Sequence, residues 1–403
     1  MEAKITVIDS IMGSGKTSFA IDKMNNDKEN NYIYITPYLT EVQRIKESCS
    51  DRKFTEPYNL GRGKLNSLHD LILKNKNISS THALFQKSTE TTKQLLQANN
   101  YILVLDEVMN VVEQIPLKKD DLSILLKSDL ITVQNTGLVQ WNEDKKDCES
   151  KYDDIKIMCK NNSVFMVNNS LFMWTFPIDI FNSFKEVYIL TYLFNGQVQR
   201  YYYDLYNVKY EYKSVKKSSE NTYELCDYII KYNMEEIKNN IYLLDDDKIN
   251  NIGDNEFALS KTWFEKSDED LLKQLKNNVS NFYKNKLKIN SKSKYNMWAT
   301  FKDYRSKISG DGYKKGFVSL GTRATNDYAD KSALAYCANT FLNPMIKQFF
   351  YMHDITINED LYALSELIQW IWRSRIRQGL PIDLYIPSSR MRDLLINWLF
   401  NYY

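Results

Sequence analysis

The chain has 403 residues, 53 Lys+Arg against 51 Asp+Glu, a net charge of +2 and 43% hydrophobic residues. That length supports two or three domains with sizeable cores, and the balance of charge argues neither for nor against a nucleic-acid partner. No apolar run is long enough for a membrane span and no leader precedes the first predicted strand, so a cytoplasmic protein without a membrane partner is expected. The cysteines (Cys49, Cys148, Cys159, Cys226, Cys337) are scattered with no Cys-x-x-Cys pair, which indicates neither a zinc site nor a disulfide framework and fits a reducing compartment.

The first predicted element is the β-branched run Lys4-Ile5-Thr6-Val7-Ile8-Asp9. It leads into Ser10-Ile11-Met12-Gly13-Ser14-Gly15-Lys16-Thr17 and then a helical stretch from Ser18. Strand, glycine turn, Lys-Thr and helix in that order make a phosphate-binding loop. Gly13 and Gly15 let the backbone approach an anion closely, and the N–H groups around Ser14 and Ser18 sit at the positive end of the helix. Lys16 is placed for the β- and γ-phosphates of ATP and the Thr17 hydroxyl for Mg²⁺. Ser10 stands where the pattern usually has glycine.

Tyr32 to Ile35 predicts a second strand, stopped at Thr36-Pro37 and followed by a helix from Glu41. Asn77 to Phe85, with Thr81-His82, predicts a short strand, and Tyr101 to Leu105 a buried one ending in Asp106-Glu107. Asp106 suits a Mg²⁺ held through water, and Glu107 suits orienting or deprotonating an attacking water. Lys118 to Asn162 reads as a polar, irregular insertion. Val187 to Leu190 predicts a further strand, running into Thr191. Tyr201 to Tyr212 reads as extended, Lys213 to Glu220 as a linker, and Tyr223 to Tyr232 as helix. In the second half, Ile241 to Leu244, Gly316 to Leu320 and Leu384 to Ile386 predict strands, and Leu361 to Arg377 a long helix stopped by Gly379-Leu380-Pro381. On that helix Gln369, Arg373 and Arg377 are spaced to share one face, where arginines could clamp a γ-phosphate; a solvated basic face is the plainer alternative. The lysines from Lys273 to Lys294 admit both a nucleic-acid track and a solvated amphipathic helix. His82 is assigned no proton transfer, and His69 and His353 are read as structural.

With these residues in place the chain resembles a superfamily 2 helicase of the DEAD/DEAH-like kind, and most closely the compact helicase-like ATPases carried by bacteriophages. Ser10 to Thr17 is similar to motif I, Thr36 to Arg44 to motif Ia, and Ser79 to Phe85 to the segment touching the tracking strand. Leu105 to Val108 is similar to motif II, Thr191 to Phe194 to the coupling motif III, Gly321 to Asn326 to motif V, and Gln369 to Arg377 to motif VI. Motif VI departs from the family pattern, because Trp372 and Ile376 stand where a glycine and an arginine are usual. The resemblance implies two tandem RecA-like P-loop domains of the α/β class with mostly parallel sheets, expected at 1–197 and 221–403 with a hinge at 198–220, and an ATP cleft between them. It implies an ATP hydrolase acting as a helicase or translocase on single-stranded or partly duplex nucleic acid, DNA favoured over RNA, in phage replication or recombination and alongside proteins of those processes. In this reading Lys16, Glu107, Arg373 and Arg377 are catalytic, Gly13 to Ser18 and Gln369 bind ATP, and Thr17 and Asp106 hold Mg²⁺. Thr36, Pro37, Thr81, His82, Arg323 and Thr325 contact the strand, and Thr191 couples hydrolysis to movement. Two alternatives stay open: an ATPase that remodels or packages without unwinding, and an ATP-gated loader or counter-defence protein.

Overall fold

In a computed structural model of the chain, residues 3–59, 61, 63–142, 151–218, 222–289, 294–321 and 327–400 are described. Their contacts divide the chain into two units, Met1–Ile229 with Asn343–Ile357, and Ile230–Leu342 with Asn358–Tyr403.

The first unit carries β1 (Lys4–Asp9), β2 (Asn31–Thr36), β3 (Ile78–Thr81) and β4 (Tyr101–Asp106). Next come β5 (Val112–Ile115), β6 (Ile131–Val133), β7 (Val139–Trp141), β8 (Val164–Val167) and β9 (Leu171–Thr175), then β10 (Glu186–Thr191), β11 (Tyr210–Lys217) and β12 (Tyr223–Asp227). A seven-stranded sheet runs β12-β11-β1-β10-β4-β2-β3, parallel throughout except for the β11–β12 pair. The continuous apolar runs read from the sequence follow from burial of both sheet faces. Alternate residues serve opposite sides: Ile5, Val7, Ile33, Ile35, Leu103 and Leu105 join one core, while Ile8, Tyr32, Tyr34, Ile102 and Val104 join another with Ala20 and Met24 of α1 (Lys16–Asn26).

Several expectations for this unit are corrected. The stretch expected as a hinge, 198–220, contains the helix Val198–Leu205 and the sheet strand β11, so the division falls at Ile229/Ile230 instead. Tyr201, Tyr202 and Tyr203 are fully buried on that helix, because tyrosine hides a large ring while its hydroxyl finds a partner; Tyr202 donates to the Phe176 carbonyl at 2.7 Å. Tyr223–Asp227 is a strand rather than a helix. The insertion expected to be irregular, Lys118 to Asn162, holds the helices Lys119–Lys127 and Asp153–Lys160 and the hairpin of β6 and β7; it folds with the antiparallel β5-β9-β8 sheet that flanks it, and Leu125, Val139, Ile155, Cys159 and Phe172 form a shared core.

The second unit holds a four-stranded parallel sheet in the order β13-β16-β15-β14, from β13 (Ile241–Leu243), β14 (Asn296–Ala299), β15 (Ala333–Tyr336) and β16 (Ile382–Tyr385). Gly316 to Leu320, expected as a strand, contributes only an isolated bridge from Phe317 to Trp298. The helix Glu359–Ile371 is capped by the Asn358 side chain, which accepts the Leu361 N–H at 2.9 Å. It ends at Ile371, earlier than expected. In the lysine-rich stretch, Phe282 and Tyr283 are buried and Lys273, Lys284, Lys286 and Lys288 are exposed, the pattern of a solvated amphipathic helix. The helix Pro344–Tyr351 returns to the first unit, where Phe349 and Phe350 enter its main core and Phe349 lies 5.4 Å from the Phe165 ring.

A fragment of residues 1–197 lacks β11, β12 and the Asn343–Ile357 segment and leaves the open edge of β1 without its partner. It is expected to show no cooperative thermal transition by circular dichroism, whereas 1–229 joined to 343–357 is expected to melt cooperatively.

Candidate nucleotide site

The loop between β1 and α1 has the backbone that the sequence requires. Gly13 has φ +85° and Gly15 φ +98°, left-handed values that side chains oppose. Gly15 is the residue from which α1 starts, and Ser14 N–H donates to the Ile11 carbonyl at 3.2 Å to close the turn. Lys16 curls back over the loop, donating from Nζ to the carbonyls of Ser10 and, at 3.2 Å, Ile11. The Ser14 Oγ is buried without a hydrogen-bond partner. An orphaned hydroxyl, a glycine cradle and a helix start together suit an anion. The serine at position 10 also has its explanation: its buried Oγ accepts the Val215 N–H at 3.0 Å, which fastens the loop to β11 in a way that glycine could not.

Asp9, at the end of β1, is 2% exposed. Its carboxylate accepts the N–H of Leu193 at 2.9 Å, the N–H of Phe194 at 3.0 Å and the Tyr228 hydroxyl at 3.4 Å. Burial holds its pKa above the usual carboxylate range, against the pull of those bonds and of the Lys16 charge. Asp9 thereby ties the strand before the loop to the turn after β10, where Leu193 has φ +55°.

Two strands from β1, β4 delivers Asp106 and Glu107. Glu107 has φ +67°, a conformation uncommon outside glycine. Neighbours hold it there. Glu107 N–H donates to the Leu190 carbonyl at 3.0 Å, His82 Nε2 to the Asp106 carbonyl at 3.1 Å, and Gln86 to the Asn110 carbonyl at 2.6 Å. The Met109 N–H donates to Gln199 Oε1 at 3.0 Å, and Gln199 in turn donates to Tyr203 Oη at 3.2 Å. Burial and the nearby Asp106 carboxylate push the Tyr34 phenol well above its ordinary pKa.

The sheet register brings Asp9, Thr191, Asp106, Thr36 and Thr81 to one carboxyl edge, with Asp9 opposite Thr191, Leu190 opposite Asp106 and Thr36 opposite Thr81. Their side chains do not all face outward. Thr36 and Thr191 are fully buried with unpartnered hydroxyls, and His82 is buried against the Asp106 carbonyl. Thr36 and His82, expected to touch a nucleic-acid strand, instead line the interior, while Pro37 and Thr81 are half-buried. Arg323 and Thr325 lie outside the described residues. In the second unit Gln369, Arg373 and Arg377 do not share a helical face, because the helix stops at Ile371. Arg373 is buried and its guanidinium donates to the carbonyls of Ser319 at 3.4 Å and Leu320 at 3.5 Å. Arg377 is exposed on the 3-10 turn Arg375–Gln378, and Gln369 is half-buried.

Asp9, Gln199 and Tyr228 carry the site's supporting bonds and escaped sequence reasoning. Their partners are far along the chain, and only the sheet order brings them together. Asp9 offered one legible signal, a carboxylate directly after an apolar strand and directly before the glycine loop.

Fold and site define a two-unit α/β protein with a P-loop-type strand–loop–helix in its first unit. Residues 112–174 match the family described as the YonV middle domain and residues 235–399 the one described as the YonV C-terminal Rossmann-like domain. The "SPbeta prophage-derived uncharacterized protein YonV" of Bacillus subtilis (strain 168) is 46% identical over 412 residues, spanning 99% of this chain and 99% of that protein. The chain belongs to the YonV family. Among solved structures it is similar to one titled "XPD_Helicase", at 10% identity over 99% of this chain and 94% of that one with a TM-score of 0.49. A second is the Xpd4 of S. tokodaii, at 11% identity over 98% and 94% with a TM-score of 0.43. Among the described residues no helix is long and apolar enough to cross a membrane.

Gln199→Leu leaves the buried Met109 N–H without an acceptor. The variant is expected to lose about 1–3 kcal/mol of stability, read as a lower urea midpoint at unchanged slope. An unchanged midpoint would mean that Gln199 does not hold this loop.

Proposed function

We propose that this protein is an ATP-dependent, nucleic-acid-coupled motor of the superfamily 2 helicase type. The observation that carries the reading is the loop itself, with Gly13 and Gly15 left-handed and Lys16 and Thr17 in the first turn of α1, on the same sheet edge as Asp106 and Glu107. In this reading the N–H groups from Gly15 to Ser18 bind the phosphate chain, and Lys16 exchanges its two loop carbonyls for the β/γ-phosphates. Thr17 and Asp106 offer the hard oxygens that Mg²⁺ prefers, and that ion would neutralise charge developing on the phosphates. Glu107, kept in a strained conformation by its neighbours, orients the attacking water or takes its proton. Arg373, which donates to the carbonyls of Ser319 and Leu320, and the exposed Arg377 are both kept as candidates for a charge-stabilising arginine. Single-stranded nucleic acid, DNA before RNA, is the proposed partner, with Thr81, Arg323 and Thr325 as contact candidates. The engagement of Arg373 also favours a second reading, an ATP-gated binding protein with slow turnover.

Hydrolysis assays on three proteins test the proposal. Lys16→Ala is expected to lose hydrolysis by about a hundredfold or more and to bind nucleotide more weakly. Glu107→Gln is expected to bind ATP like the wild type while turning over about a hundredfold more slowly. Wild-type turnover by Glu107→Gln would remove Glu107 from the chemistry.

A further inference from the structure

The β11–β12 ribbon grips the glycine loop at two points. Val215 of β11 donates its N–H to Ser10 Oγ at 3.0 Å, at the start of the loop. At its end, Tyr223 of β12 lays its ring on Gly15. A Cβ built at Gly15 would fall 2.0 Å from Tyr223 Cε1 and 2.1 Å from Cδ1, so the ring rests against the glycine Cα. Tyr223 pairs with Lys217 at the end of the antiparallel ladder. It packs on the same core as Phe19 and Ile21 of α1 and remains half-buried.

Gly15 is both the start of α1 and the residue at φ +98°. Glycine is the residue least able to hold one conformation by itself. If it wandered, the N–H groups of Gly15, Lys16 and Thr17 would have to be ordered by the ligand, at a cost in affinity. We propose that Tyr223 is a positioning residue for the anion loop, pinning Gly15 in its left-handed conformation so that these N–H groups are set before a phosphate chain arrives. The ring acts through Gly15 and not on the base of a nucleotide, and the loop therefore recognises the phosphate chain. This rests on the nucleotide reading above.

Isothermal titration of the full chain with Mg²⁺ tests it, using ATP and inorganic tripolyphosphate as separate probes. Tyr223→Ala is expected to weaken both by a similar factor, about tenfold. Tyr223→Phe, which keeps the ring, stays within about twofold of the wild type, and Leu225→Ala, which perturbs the same strand away from Gly15, leaves both affinities unchanged. If Tyr223→Ala does not fold, Tyr223→Leu, which keeps apolar bulk but not a flat ring, is scored in the same way. The proposal is overturned if Tyr223→Ala binds both probes normally, if it weakens ATP alone, or if Leu225→Ala weakens them as much. A wild type that binds neither probe would overturn the nucleotide reading itself, a result distinct from all of these.

Discussion

A buried carboxylate at the end of β1 is the constraint on which the first unit depends. Asp9 is surrounded by the sheet, yet two N–H groups and a phenol converge on it. Burying a charge costs several kcal/mol unless bonds of this kind offset it. The arrangement therefore fixes three things at once: the exit of β1, the turn after β10 and the position of Tyr228 close to the unit boundary. The glycine loop begins one residue later, with Ser10 bonded to both β10 and β11. A loop that must present N–H groups outward has few internal bonds of its own, so its shape comes from the strands on either side.

The same logic applies to the acidic pair. Glu107 in a left-handed conformation would relax if the chain around it were loose. His82, Gln86 and Gln199 bond to residues 106, 110 and 109, and these bonds hold the strained residue from both sides. Polar groups that look unrelated in sequence are thus the supports of one turn at the carboxyl edge of the sheet. The bond to the Asp106 carbonyl accounts for the inward-facing His82, although the resemblance to helicases places it on a strand-binding rim.

The parts of this molecule legible in sequence are the local ones. β1, β2, β4 and β10 announce themselves as apolar runs because both sheet faces are buried, and Gly13, Gly15, Lys16 and Thr17 are recognisable because an anion cradle needs glycines at fixed spacing. What escaped depends on distant partners. Tyr201 to Tyr203 read as extended, since alternating aromatics suit a strand, but the packing of those rings into the core selects a helix. β12 read as a helix because its pairing with β11 cannot be seen from its own residues. The supposed common face of Gln369, Arg373 and Arg377 assumed a helix continuing past Ile371, where the chain instead turns and Arg373 caps the carbonyls of Ser319 and Leu320.

In the proposed motor, hydrolysis at the β1–α1 loop drives motion along a polymer, and polymer-dependent turnover tests that directly. The measurement is the ATP hydrolysis rate of the full chain, titrated with single-stranded DNA and single-stranded RNA at two salt concentrations. A motor held by phosphate-backbone contacts is expected to be stimulated by at least one polymer, with little dependence on its sequence and an apparent affinity that falls as salt rises. Turnover unaffected by either polymer at both salt concentrations would contradict the motor and leave a nucleotide-gated binding protein in its place.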